Sequence, residues 1–285
     1  DGCSSDLMNE TQFKSWIQLD NKPSLVMGIV NVTPDSFSDG GKYIEPEKAV
    51  AHGLSLIEEG ADILDIGGES TRPGSDIVLV EEELNRVIPV IKGIRKKSNC
   101  LISIDSMKHE VVSAALNAGS GMVNDVNGLR SGEMRKVVAE RSVPVVIMHM
   151  KGSPKTMQID PTYRNMINDI ASFLQNQIDA AVQDGVSSDM IIVDPGIGFG
   201  KTPDDNFKLL RRLNTFLSLG KPILVGPSRK SFLGIALDLS EQNRMEGTSP
   251  AVTAGILNGA NIVRVHDVKE MKRVATIADH IRGIA

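Results

Sequence analysis

At 285 residues, 41% apolar and 24% charged, the chain can form one large domain or two small ones around a sizeable core. Its formal net charge of −5 argues against general nucleic-acid binding, which relies on Lys and Arg to neutralise phosphates. No apolar stretch approaches the roughly 20 residues that cross a bilayer, and neither Cys3 nor Cys100 forms a CxxC pair or joins the five His residues at zinc spacing.

Residues 1–23 read as an N-terminal extension. Asp1 to Glu10 are polar and lack the charged start and apolar core of a signal peptide. Two unpaired thiols and no such leader predict a cytoplasmic protein. Residues 12–23, with the only tryptophan, Trp16, are expected to pack across the bottom of the domain formed by residues 24–285.

Eight short apolar runs come next, at residues 25–30, 63–66, 101–104, 122–123, 143–148, 190–193, 223–225 and 262–265. At or just past their ends stand Asn31, then Glu69 with Thr71 and Arg72, then Asp105, Asn124, His149, Asp194 and Lys230, and finally Arg264 with His266. Helical patterns with glycine stops lie between them: 47–59 before Gly60, 109–117 before Gly119, a long stretch from about Tyr163 before Gly185, and 251–258 before Gly259. A glycine just past a helix suits the left-handed C′ position. Ile- and Val-rich runs without alternation fit parallel strands covered by helices. The pattern predicts an α/β fold, a (β/α)8 TIM barrel in a single domain over residues 24–285, with its site on the C-terminal face. An open doubly wound sheet uses the same βα phrase, but it gathers polar groups at one switch point rather than on every strand.

The first loop, residues 31–41, is rich in Gly, Ser and Asp, with Phe37 as its apolar member. Such loops at a barrel mouth act as lids; a solvated turn with Phe37 tucked inward is the alternative. Loop 67–74, Gly-Gly-Glu-Ser-Thr-Arg-Pro-Gly, offers hydroxyl, guanidinium and backbone N–H groups to an anion. Asp105, Asn124 and Asp194 suit a flat hydrogen-bonding heterocycle. A carboxylate accepts paired N–H bonds from an amino-pyrimidine edge, and an Asn amide both donates and accepts. A buried carboxylate without a partner costs on the order of several kcal/mol, so each Asp must face a ligand or a Lys or Arg.

Residues 194–202, Asp-Pro-Gly-Ile-Gly-Phe-Gly-Lys-Thr, imitate a phosphate loop, but Pro195 stands where GxxxxGK[ST] requires Gly, and GxGxxG is not completed either. These glycines instead let the backbone approach a ligand, with Phe199 as an apolar wall. Residues 228–231, Ser-Arg-Lys-Ser, add two cations and two hydroxyls after the seventh run. Arg264 and His266 alternate along an extended strand, so both can point to the mouth. Basic groups after strands seven and eight match the phosphate position of these barrels.

Taken together these segments resemble dihydropteroate synthase. The resemblance runs from about Leu25 to the C-terminus and rests on 27–41, 67–74, Ser103-Ile-Asp-Ser106, Asn124-Asp-Val-Asn-Gly128, Met148-His-Met150, 194–202, 228–231 and Arg264-Val-His-Asp267. It implies a transferase of folate synthesis that joins p-aminobenzoate to 6-hydroxymethyl-7,8-dihydropterin diphosphate, with Mg2+ as cofactor and a homodimer as the assembly. It implies that Asp105, Asn124, Asp194 and Lys230 hold the pterin, beside Met148 and Phe199. Asn31, Thr71, Arg264 and His266 would hold the diphosphate and its Mg2+, Asn31 as the metal ligand, with Val265 also counted as substrate-binding. Phe37, Arg72, Pro73 and Ser231 would shape the p-aminobenzoate pocket. Asp105, Asp194, Lys230, Arg264 and His266 form the implied catalytic set. Two rivals share the acids and the Asn: a methyltetrahydrofolate–corrinoid methyltransferase type of barrel, and a pterin-binding paralogue without turnover.

Overall fold

The computed structural model of the chain describes residues 7–33, 46–72, 74–157, 159 and 161–284. Eight parallel strands close into a barrel in sequence order: β1 (Leu25–Asn31), β2 (Ile63–Gly67), β3 (Leu101–Asp105), β4 (Met122–Asp125), β5 (Val145–Met148), β6 (Ile191–Asp194), β7 (Ile223–Val225) and β8 (Ala260–Val265). Each lies on one of the eight apolar runs. The closed sheet settles the choice against an open one. Helices alternate with the strands: α1 (Glu10–Trp16), α2 (Pro46–Glu58), α3 (Val80–Arg95), α4 (His109–Ala118), α5 (Gly132–Arg141), α6 (Met166–Gln183), α7 (Pro203–Arg211), α8 (Ser231–Leu237), α9 (Met245–Leu257) and α10 (Val268–Ile281). Helix α4 ends as expected, with Gly119 left-handed at φ 113°. Helix α9 begins at Met245, six residues before the expected Ala251, and runs through Pro250.

The strands read as unbroken apolar runs because both of their faces are buried. Outward residues such as Val26, Leu64, Ile102, Val145, Val193 and Val263 pack beneath the helices. Inward residues Met27, Ile63, Leu101, Met122, Val146, Ile192, Leu224 and Ile262 form a second cluster that fills the lower barrel. Phe13, Trp16 and Ile17 close that cluster from below, as expected of the segment around Trp16. An Asn9–Gln12 capping box starts α1, and the Trp16 indole N–H donates to the Pro23 carbonyl at 2.8 Å.

Side chains alternate along a strand, so the residue two positions beyond each inward apolar residue also faces inward, nearer the C-terminal mouth. There the interior turns polar: Asp65 follows Ile63, Asn124 follows Met122, Asp194 follows Ile192 and Arg264 follows Ile262. The phase of β8 depends on an irregularity. Ile223 pairs with Ala260 but Leu224 pairs with Ile262, and the skipped Asn261 accepts the Ile223 N–H through its side chain at 3.0 Å. A slip of one residue would turn Arg264 out of the barrel and Val265 in.

Candidate active site

One guanidinium joins the two ends of the chain. Arg264 Nε donates to Asp65 Oδ2 at 2.6 Å, and Nη2 donates to Asp105 Oδ2 at 2.8 Å. The Asn124 amide donates to the same Asp65 oxygen at 2.9 Å. Burial pushes the Asp105 carboxyl up to about 7, with the Asp65 charge adding to the rise and Arg264 opposing it. Burial pulls against the charged form of Arg264, but the two carboxylates reverse this and keep its pKa raised.

Asp194 closes the other side of the ring. Its Oδ1 accepts the Gly196 N–H at 2.7 Å, and burial raises its pKa against the pull of Lys230. Lys230 donates to the Ile197 carbonyl and stands 4.5 Å from the centre of the Phe199 ring. Burial lowers it to about 8, with Asp194 opposing. Beside these charges Val126, Met148, Met150 and Met157 form a small apolar cluster, with Met107 and Phe199 packed against it. Met and Phe side chains give an adaptable apolar wall for a planar ring.

His266 lies on the rim. Its backbone N–H donates to Ser228 Oγ at 3.2 Å, so the serine proton is free to meet Nδ1, 3.0 Å away. Burial, reinforced by Arg264 and Arg229, lowers His266 to about 3. The imidazole is therefore neutral, with Nδ1 accepting and Nε2–H left as a donor. The basic residue expected at this position is an uncharged donor.

Several expected site residues serve as supports. Of the two cations in 228–231, Arg229 (φ 55°) turns away to pair with Asp267, donating to Oδ2 at 3.0 Å, and its backbone N–H donates to Thr248 Oγ1 at 3.1 Å. Ser231 opens α8 on the surface. Arg72 is exposed and pairs with Glu241 at 2.6 Å; Thr71 is half-buried beside it. Glu69 anchors its own loop, accepting the Val78 N–H at 3.0 Å and pairing with Lys108. Lys108 also reaches the buried Glu83 at 2.6 Å. Val265 does not face the site. Its side chain is buried in the core between sheet and helices, on the strand face opposite Arg264. Phe37 and Pro73 lie outside the described residues, as do Asp35 and Asp39.

A family model described as "Pterin binding enzyme" matches residues 27–266. Dihydropteroate synthase of Bacillus subtilis is 46% identical over 257 residues, covering 90% of this chain and 88% of that protein.

The chain belongs to the dihydropteroate synthase family.

Two solved structures of Xanthomonas albilineans dihydropteroate synthase superpose closely. The one with 4-aminobenzoic acid gives a TM-score of 0.87 at 44% identity, covering 94% of this chain and 96% of that one. The complex with 7,8-dihydropteroate gives 0.84 at 42%, covering 94% and 97%. No helix among the described residues is long and apolar enough to cross a membrane.

Neither Asp65 nor the role of Lys201 stands out in the sequence alone. Asp65 was absorbed into the apolar run 63–66, although a charged residue two positions past inward Ile63 was a readable signal. Lys201 appeared only as part of a rejected phosphate loop; it is buried, 3.2 Å from His149 Nδ1. His149, one of the polar strand ends, thus belongs to the support of the site.

Proposed function

We infer that this chain condenses 6-hydroxymethyl-7,8-dihydropterin diphosphate with p-aminobenzoate, giving 7,8-dihydropteroate and diphosphate in folate synthesis. One observation carries the residue assignment: Asp105, Asn124, Asp194 and Arg264 occupy inward strand-end positions of one barrel mouth, and Lys230 joins them from the loop after β7, beside the Met148–Phe199 wall. Acids and an amide match the N–H-rich edge of a pterin, Lys230 matches its acceptor edge, and the apolar wall covers a ring face.

In this reading Asp105 and Asp194 grip the bicyclic ring and favour positive charge spreading into it as the C–O bond to diphosphate breaks. The p-aminobenzoate nitrogen then bonds to the methylene carbon and loses a proton, and diphosphate leaves with the bonding pair. The arylamine is already neutral near pH 7, so no Ser-His or Cys-His pair is needed to activate it. His266 Nε2–H and Thr71 hold the departing anion. Arg264 lies deeper than a pure phosphate clamp would, tied to the pterin acids, and serves both ends of the substrate.

The donor set fits a hard cation held mainly by substrate. Among the described residues no group of three or more His, Cys, Asp or Glu gathers as a metal cage. Asn31 ends β1 in register with Gly67, on the inward-facing alternation. A single amide oxygen suits Mg2+, which keeps several waters and takes phosphate oxygens. When bound, Mg2+ supplies Lewis-acid neutralisation of the departing diphosphate. We further propose a cytoplasmic homodimer.

Purified protein, the pterin diphosphate, p-aminobenzoate and Mg2+ should yield dihydropteroate and diphosphate in equal amounts. Pterin binding without product would point to a non-catalytic paralogue, and methyl transfer without diphosphate release to the corrinoid type.

A further inference from the structure

We propose that Asp65 is a positioning residue that, through one carboxylate oxygen, fixes both the Asn124 amide and the Arg264 guanidinium in their substrate-binding orientations. The inference rests on the function proposed above and deepens it.

Asp65 has no exposed surface, and its Oδ2 accepts from Asn124 Nδ2 at 2.9 Å and Arg264 Nε at 2.6 Å. An Asn amide can flip with little change in shape, which would exchange donor and acceptor toward a ligand. A carboxylate is acceptor-only, so Asp65 takes the NH2 side of Asn124 and leaves its carbonyl oxygen to receive an N–H. The same oxygen takes the Nε of Arg264, and the planar guanidinium then presents Nη2 to Asp105. Two groups from β4 and β8 are thereby set by one from β2. The second oxygen of Asp65 and the hydroxyl of its register partner Ser103 are buried with no hydrogen-bond partner among the described residues. A charge placed there at such desolvation cost is poor as a stabilising device, which favours a role in the site.

The test uses Asp65→Asn, Asn124→Ala and the double variant, with wild type as reference. Steady-state kinetics, calorimetric binding of the pterin diphosphate and the pH profile of kcat/KM are the readouts. Asp65→Asn should lower kcat/KM for the pterin diphosphate at least about tenfold and leave KM for p-aminobenzoate within about twofold. The acid limb of its profile should move to lower pH, because the Asp65 charge no longer opposes ionisation of Asp105. In the Asn124→Ala background the same change should cost distinctly less, since coupled residues are non-additive. Wild-type pterin affinity with an unmoved profile, or full additivity, would overturn the proposal. Wild-type protein that neither binds nor turns over the pterin would instead overturn the proposed function. If Asp65→Asn does not fold, selectively labelled Arg in wild-type protein gives an independent answer. The Nε–H resonance that disappears in Arg264→Lys should be sharp and protected from exchange; free exchange of that proton would refute its capture by Asp65.

Discussion

Lys201 Nζ lies 3.2 Å from Nδ1 of His149 and donates to the carbonyls of Gly196 at 2.7 Å and Phe199 at 3.0 Å. Burial lowers Lys201 to about 7 and His149 to about 2, so the histidine is the neutral acceptor of the pair. Three acceptors on one ammonium tie the loop after β6, with Phe199, to the end of β5. Lys201→Met should strip the Phe199 carbonyl of its donor, at about 1–3 kcal/mol, and leave the Gly196 carbonyl with only the Phe199 N–H. We expect a clear drop in Tm and at least about tenfold weaker pterin binding. Unchanged thermal unfolding and calorimetric affinity would show that the clamp is dispensable.

His149 also predicts a pH dependence of stability. Its folded pKa, about 2, lies below the ordinary value of 6.5, so the unfolded chain binds a proton that the fold refuses. Its contribution is intact above pH 6.5 and is lost as pH falls, at about 1.4 kcal/mol per unit. Asp105, raised to about 7, runs the other way: its contribution is full below 3.8 and lost as pH rises to 7. His149→Gln isolates the first effect. Between pH 7 and pH 5, urea unfolding of wild type relative to the variant should lose about 2 kcal/mol. A gap independent of pH would mean that His149 titrates normally in the fold.

The same groups shape catalysis. Asp105 must be ionised to accept substrate N–H groups, and Lys230 protonated to donate. With Asp105 raised to about 7 and Lys230 lowered to about 8, kcat/KM should peak in a narrow window between those values. Asp105→Asn should change the acid limb, leaving the part that Asp194 contributes, while lowering the whole curve. A profile flat from pH 5 to 9 would contradict the assignment of both groups.

Arg264→Ala strands Asp65 and Asp105 without their cation. Removing one partner of a buried pair costs about 3–5 kcal/mol. Pterin affinity and turnover should fall together, because Arg264 is bonded to the pterin-side acid at 2.8 Å. Arg264→Lys should recover stability better than activity, since an ammonium cannot serve two acceptors in a planar fork. Pterin binding left at the wild-type level in Arg264→Ala would confine Arg264 to the diphosphate.

Two glycines in left-handed conformation provide a paired test of the loops. At Gly196 (φ 74°) an added Cβ falls 1.9 Å from the His149 carbonyl oxygen. At Gly74 (φ 81°) it meets no atom of the described residues within 4 Å. Gly196→Ala should therefore cost more than about 2 kcal/mol and displace Phe199, whereas Gly74→Ala should cost about 1 kcal/mol, the conformational strain alone. Equal losses in thermal denaturation would mean that the close approach at Gly196 is relieved by movement of the loop.

Much of this protein was legible one segment at a time. The eight strands and their polar ends follow from local rules: apolar runs bury both faces of a parallel strand, and glycine ends the helices that cover them. That is why Asn31, Asp105, Asn124, Asp194, Lys230 and Arg264 could be named from the chain alone. Which of them meet was another matter. Asp65 touches residues 59 and 199 positions away, and neither separation leaves a trace in local pattern. The pairing of β1 with β8 and the irregularity at Asn261 set the phase that turns Arg264 inward and Val265 outward. Likewise, only the folded neighbourhood of His266 keeps it neutral well below pH 6.5, because burial and nearby arginines, Arg264 foremost, act on it together. Side-chain alternation is a property of one strand, but contact and charge state are properties of a closed barrel, and closure is decided by the whole chain at once.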